Sequence, residues 1–262
     1  MKIPFQGVAS ALSADGLASV AGNLGVSAAE IWAVLAVETS GCGFLDDRRP
    51  QILFERHIFH RLTQGRYDSD TDISYPTPGN YGPFGAHQYE RLSEAIKRDK
   101  NAALQSTSWG IGQIMGEHFG SAGFDSVEAM VAAMLVSENR QLAAMGDFLI
   151  SHKLHAALRA HDWTTFARGY NGINYAINRY DLRLNAEFQK YSSGVLPDLG
   201  VRAAQLYLTY LGFEPGPTDG FPGLRTLSAL AQFQTRNGMT ALSIINEDTV
   251  AQLQTALAAM KN

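Results

Sequence analysis

Seven apolar residues in a row, Ile31-Trp32-Ala33-Val34-Leu35-Ala36-Val37, constrain this chain more than any other feature. Ser27-Ala28-Ala29-Glu30 precedes them with the Ser-x-x-Glu spacing of a capping box, so the run reads as a helix. A helix apolar on every side has no face to offer water and belongs in the middle of a domain. It runs into Glu38-Thr39-Ser40-Gly41, with Gly41 placed to terminate it. Burial disfavours the charged form of a carboxyl there, and the negative end of the helix dipole pushes the same way. A carboxylic acid kept protonated near neutral pH is what glycoside hydrolysis needs to protonate a leaving oxygen. Glu38 is therefore the first catalytic candidate, and a Glu exposed at a frayed helix end is the plainer alternative.

Around this helix the pattern is mainly α, with one small β or loop element. At 262 residues the chain suits a larger domain plus a small one, and 45% hydrophobic against 18% charged residues is a folding composition. Helical spacing is expected over residues 7–22, 88–99, 110–119, 162–169 and 174–191. One long helix is expected from Asp125-Ser126 to about His152. Gln51-Ile52-Leu53-Phe54 looks like a short strand, and Thr71 to Gly85 is a loop rich in Pro, Gly, Tyr and Asp. Residues 192–200 read as a linker between residues 1–191 and residues 201–262. Beyond it, helical segments fall near 200–211, 225–237 and 246–259, the last N-capped by Asn246.

Several function classes are disfavoured. Lys plus Arg number 21 and Asp plus Glu 25, a net charge of −4, which argues against nucleic acid as a partner. The charges are not segregated either, with 17 basic and 20 acidic before the linker and 4 and 5 after Gly194. The one cysteine, Cys42, excludes an internal disulfide framework and reads as a packed small hydrophobe rather than a nucleophile. No apolar stretch is long enough to insert in a membrane, and Gln6, Ser10, Ser13 and Asp15 interrupt any signal-peptide pattern. His57/His60 and His152/His155 are paired at i, i+3, but each pair lacks the further ligand that a zinc site needs, so no metal or other cofactor is expected.

Three motifs then occur in order. Glu38-Thr39-Ser40-Gly41 resembles the Glu-Ser-x-Gly signature of lysozyme-like muramidases and lytic transglycosylases. Ser108-Trp109-Gly110-Ile111-Gly112-Gln113-Ile114-Met115 is similar to the Gly-Leu-Met-Gln-Ile motif of that superfamily, and Ala167-Arg168-Gly169-Tyr170-Asn171-Gly172 to its Ala-Tyr-Asn-Ala-Gly motif. With Arg48-Arg49-Pro50-Gln51-Ile52-Leu53-Phe54-Glu55-Arg56-His57, the stretch from about Ser27 to Tyr191 resembles the N-acetylmuramidase domain of modular bacteriophage endolysins. From Val201 onward, Leu211 to Thr226 and Ala229 to Gln234 resemble a small three-helix peptidoglycan-binding domain. Asp219-Gly220 there is a turn signal, and Gly223 is free to take positive φ. Ala241 to Asn246 departs from that family's pattern, which puts ligand contacts on that side in doubt.

The resemblance implies a lysozyme-like helical domain that cleaves the β-1,4 bond between N-acetylmuramic acid and N-acetylglucosamine, with bacterial peptidoglycan as partner and a monomer as the acting unit. Such an enzyme accumulates in the host bacterial cytoplasm until a holin-type lesion releases it, and a tethered binding domain raises its local concentration on the wall. Glu38 is implied as general acid. Hydrolysis calls for a second carboxylate. Glu55 is the best candidate, with Asp46 and Asp47 behind it, and an ion pair with Arg48, Arg49 or Arg56 is the alternative for Glu55. Ser108 and Gln113, beside glycines that let backbone approach a sugar, are candidate substrate contacts with Tyr170 and Asn171. A packed turn is the alternative for Tyr170 and Asn171. Two rival functions remain open: a lytic transglycosylase forming 1,6-anhydro products, and a non-catalytic wall-binding protein.

Overall fold

The computed structural model describes residues 3–39, 41–173 and 175–260. Residues 3–12 are irregular, not helical: the chain turns at Pro4–Phe5, and Ala9 and Ser10 donate their amides to the Leu135 and Val136 carbonyls. Helix α1 therefore starts late, at Ala14–Leu24, where Ser13 Oγ accepts from the Gly16 amide. Helix α2, Ala28–Thr39, is the apolar run; Ala29 to Leu35 and Val37 are all buried. Glu30 closes back on Ser27, its carboxylate accepting from the Ser27 amide at 3.0 Å.

Strand β1 (Ile52–Phe54) leads into α3 (Arg56–Thr63), and α4 (Gln88–Arg98) and α5 (Lys100–Gln105) follow the Pro/Gly loop. Strands β2 (Thr107–Trp109) and β3 (Ile114–Met115) complete an antiparallel sheet of order β1-β2-β3, with Ile52 opposite Trp109 and Ser108 opposite Met115. The helix expected over 110–119 is instead this hairpin and a short 3-10 turn, Gly116–His118. Gly110 (φ 71°) and Gln113 (φ 48°) both sit in the left-handed region, which a helix cannot accommodate.

The long helix expected over 125–152 is two, α6 (Val127–Met134) and α7 (Glu138–Ser151). Ser137 breaks the run: its hydroxyl caps α7 by accepting from the Arg140 amide, and its backbone bridges to Ser10. Helices α8 (Leu154–Arg159), α9 (Trp163–Asn171) and α10 (Tyr180–Ser193) finish the larger unit, α10 packing along α2.

Helix α10 runs to Ser193 and α11 begins at Leu199, so the connection is shorter than residues 192–200. Helices α11 (Leu199–Tyr210), α12 (Leu224–Arg236) and α13 (Glu247–Ala259) form the smaller unit, and Asn246 caps α13 through the Thr249 amide. Gly220 takes positive φ (79°), whereas Gly223 does not and serves as the N-cap of α12.

The smaller unit is docked, not loosely tethered. Its core, with Leu206, Leu208, Leu230, Phe233 and Leu253, also takes in Ala9 and Phe44 of the larger unit. Tyr210 donates its hydroxyl to the Ala9 carbonyl and the Tyr207 hydroxyl accepts from the Ala11 amide, both at 3.2 Å. No single helix among the described residues is long and apolar enough to cross a membrane. Removing the Ser137 cap should cost about 1 kcal/mol, so Ser137→Ala is expected to lower the urea midpoint without changing the far-ultraviolet circular dichroism of the folded protein.

Candidate active site

The end of α2, the sheet and the α9–α10 connection surround a groove of about 1070 Å³. Glu38, Glu55, Ser108, Gln113, Tyr170 and Asn171 all line it.

Glu38 is half-buried on the last turn of α2. Burial pushes its carboxyl up to about 7, against a hydrogen bond from Asn171 and the nearby Arg183 guanidinium. Asn171 Nδ2 donates to Glu38 Oε1 at 2.9 Å, while Asn171 Oδ1 is buried with no hydrogen-bond partner among the described residues. Arg183 on α10 donates to the Val37 carbonyl (3.2 Å), which ties α10 to the end of α2. Thr39 donates to the Ile111 carbonyl at 3.1 Å, which ties the same helix end to the β2–β3 turn.

Glu55 is the N-cap residue of α3, its own amide donating to the Ser106 carbonyl of the sheet layer at 2.7 Å. Burial pushes its carboxyl up to about 7 as well, opposed by a hydrogen bond from Tyr81. Its Oε2 lies 3.0 Å from His57 Nδ1, and burial keeps that imidazole's pKa below its ordinary value. No arginine pairs with Glu55 among the described residues: Arg49 pairs with Asp47, and Arg56 donates to the Thr71 and Gly79 carbonyls. Asp46 and Asp47 do not line the groove.

Ser108 and Gln113 are largely committed to each other. Ser108 Oγ donates to Gln113 Oε1 at 2.8 Å, and Gln113 Nε2 donates to the Gly110 and Gln51 carbonyls. Their arrangement holds the hairpin's left-handed turn and presents a rigid polar wall. Tyr170 donates its hydroxyl to the Gly112 carbonyl, and its ring stacks on Phe166 (5.4 Å between centroids, 13° between planes). One ring face is thus already covered, so the ring acts mainly as a wall beside Glu38.

Three side chains at the site belong to no motif. Tyr81 comes from the Pro/Gly loop, where an aromatic beside Gly82 was the available signal. Tyr180 and Arg183 lie at i, i+3 on α10, the guanidinium 5.5 Å from the ring centre. Burial raises the Tyr180 hydroxyl above its ordinary pKa, and the charges of Glu38 and Glu55 add to it.

A family model for N-acetylmuramidase matches residues 27–192. The chain belongs to the N-acetylmuramidase family. A second model, for a peptidoglycan binding domain, matches residues 198–253. Among solved structures, the crystal structure of Burkholderia AP3 phage endolysin is similar, at 39% identity over 73% of each chain with a TM-score of 0.63. No match was found among curated proteins. The muramidase is accordingly a glycosidase that hydrolyses peptidoglycan, and its smaller unit is a peptidoglycan-binding module. That module carries its own shallow groove of about 530 Å³ between Gly212–Glu214 and α12.

The raised Glu38 pKa has a stability consequence. The folded protein holds this proton more tightly than the unfolded chain, so stability is lost as pH climbs from 4.5 through about 7. Glu38→Gln cannot ionise. It should be the more stable protein by about 3 kcal/mol near pH 8, with the gain vanishing near pH 4, as chemical denaturation at the two pH values will read.

Proposed function

We propose that this enzyme hydrolyses the β-1,4 bond between N-acetylmuramic acid and N-acetylglucosamine, with Glu38 as general acid and Glu55 as general base. The observation that carries this reading is the opposite polarity of the two helix ends that hold the carboxyls. Glu38 sits at the negative, C-terminal end of α2, which favours the protonated acid. Glu55 sits at the positive, N-terminal end of α3 and accepts from Tyr81, both of which favour the anion. Burial raises both carboxyls to about 7, and the polarity of the two helix ends favours the proton on Glu38 and the charge on Glu55.

In the reaction Glu38 gives its proton to the glycosidic oxygen as the bond from that oxygen to the anomeric carbon breaks. A water attacks the anomeric carbon and gives its proton to Glu55, and solvent then returns each carboxyl to its starting state. Asn171 suits this cycle, because an amide can donate to the Glu38 anion or accept from its acid form. Ser108 and Gln113 form the polar wall against which the N-acetyl and hydroxyl groups are held, and Tyr170 bounds the sugar next to Glu38. Residues 201–262 anchor the enzyme to the wall, and residues 1–191 cut it.

In the cell, this chemistry makes the protein an endolysin that lyses its bacterial host. It acts as a monomer after cytoplasmic accumulation and holin-type release. The likeness to the AP3 phage endolysin supports this part of the reading.

Mass spectrometry of digested, purified peptidoglycan tests the chemistry. Reducing N-acetylmuramic acid ends are expected. Products with 1,6-anhydro ends would replace the hydrolase by a transglycosylase, and an intact polymer would leave only wall binding. Glu38→Gln should lower kcat by about 10³-fold or more, and Glu55→Gln by about 10²-fold. A parental rate in either variant removes that residue from the mechanism.

A further inference from the structure

We propose that Arg202, on the first helix of the peptidoglycan-binding module, is a positioning residue of the active site, holding the chain segment that follows Glu38. The module is then a working part of the catalytic centre as well as an anchor. This rests on the reading of Glu38 as the acid.

The guanidinium is fully buried and bridges two groups of the larger unit. Its Nε donates to the Gly41 carbonyl at 2.9 Å, and Nη2 donates to the same oxygen. Nη1 and Nη2 also pair in a fork with the Glu138 carboxylate, Nη2 lying 2.6 Å from Oε1. Glu138 is itself fully buried and accepts the Gly43 and Leu12 amides, each at 2.8 Å. One ion pair thus fixes Gly41 by its carbonyl and Gly43 by its amide. The guanidinium also lies 5.8 Å from the centre of the Trp32 ring, on the same helix as Glu38.

Gly41 links this clamp to the acid. Its amide donates to the Leu35 carbonyl at 3.1 Å, and its φ of 84° closes the end of α2. The same residue therefore terminates the helix bearing Glu38 and is gripped by the other module. The larger unit supplies no cation for Glu138 among the described residues, and Arg202 is the partner it has. An anchor needs only a tether, whereas a buried arginine crossing to the acid's own loop acts on geometry. A displacement of the order of 1 Å at a reacting group costs about a hundredfold in rate.

The groups facing Glu38 from the packed elements are Tyr170 and Asn171 of α9 and Tyr180 and Arg183 of α10, with Glu55 on the sheet side of the groove. None of them is changed by altering Arg202. A shift in the pH profile therefore reports a change in how the end of α2 is held and hydrated.

The test uses the full chain and a soluble, uncross-linked peptidoglycan tetrasaccharide, on which wall anchoring confers no advantage. Arg202→Lys keeps a cation beside Glu138 but loses the planar fork. The double variant Arg202→Met with Glu138→Gln removes both buried charges and supplies a second folded protein if the lysine variant unfolds. In both, kcat is expected to fall about tenfold or more with KM within about twofold. The alkaline limb of the kcat profile should move about one pH unit toward the ordinary carboxyl range as water reaches Glu38. Tyr210→Phe, which loosens docking without touching Gly41, should keep the parental limb. Parental kcat and an unmoved limb in the Arg202 variants would overturn the proposal. Glu38→Gln on the same substrate separates the two readings. If it is inactive while the Arg202 variants are parental, only the coupling fails; if it is fully active, the acid assignment falls and the coupling with it.

Discussion

Helix α2 has no side that can meet water, and the elements of the larger unit are placed to cover it. Helix α10 packs along it, α1 lies against it, and the guanidinium of Arg202 reaches its Trp32 ring. Covering the sides leaves the end to be dealt with, because the last carbonyls of a helix have no partner within it. They are met from different directions: Gly41 donates to Leu35 and Arg183 to Val37, while Thr39 fastens the helix end to the β2–β3 turn. An end held by so many unrelated segments is rigid, and the residue on it, Glu38, borders the groove. Burial of the helix thus produces both the precision and the raised pKa of the acid.

The same economy governs the second carboxyl. Glu55 stands where the sheet hands over to α3, one residue past β1. The backbone that makes it an N-cap also points it into the groove. Its side chain makes no capping bond, so it remains free for Tyr81 and for substrate. The stability forgone by an unused cap and two buried carboxyls is of the kind that active sites characteristically retain.

Much of this was legible in the residues. The apolar run announced a buried helix, and Gly41 its end. The glycines beside Ser108 and Gln113 marked these two as candidate sugar contacts, but the turn that holds them was not legible, because the periodicity of residues 110–119 is helical. Two positive φ angles there are a tertiary outcome, held by the Ser108–Gln113 bond and the sheet pairing. The break at Ser137 was hidden because Met130, Met134, Leu142 and Met145 keep helical spacing across it. Only the non-helical segment at residues 9–10, hydrogen-bonded alongside and bridged from Ser10 to Ser137, discloses it. Tyr81, Tyr180 and Arg183 carried no motif, because their role depends on which loops and helices meet at the groove. Arg202 and Glu138, 64 residues apart, looked like ordinary helix charges. Nothing local distinguishes a solvated arginine from one that crosses between modules.

The buried pair also bears on how modular such a protein is. Family boundaries at 192 and 198 invite treating the halves as interchangeable cassettes joined at Gly194–Asp198. A chimera spliced there with a module lacking an arginine at that place would leave Glu138 a carboxylate sealed in an apolar seam beside Phe44 and Ala9. Recombination between such genes, natural or engineered, is thereby restricted to partners that bring an arginine on the matching turn of their first helix.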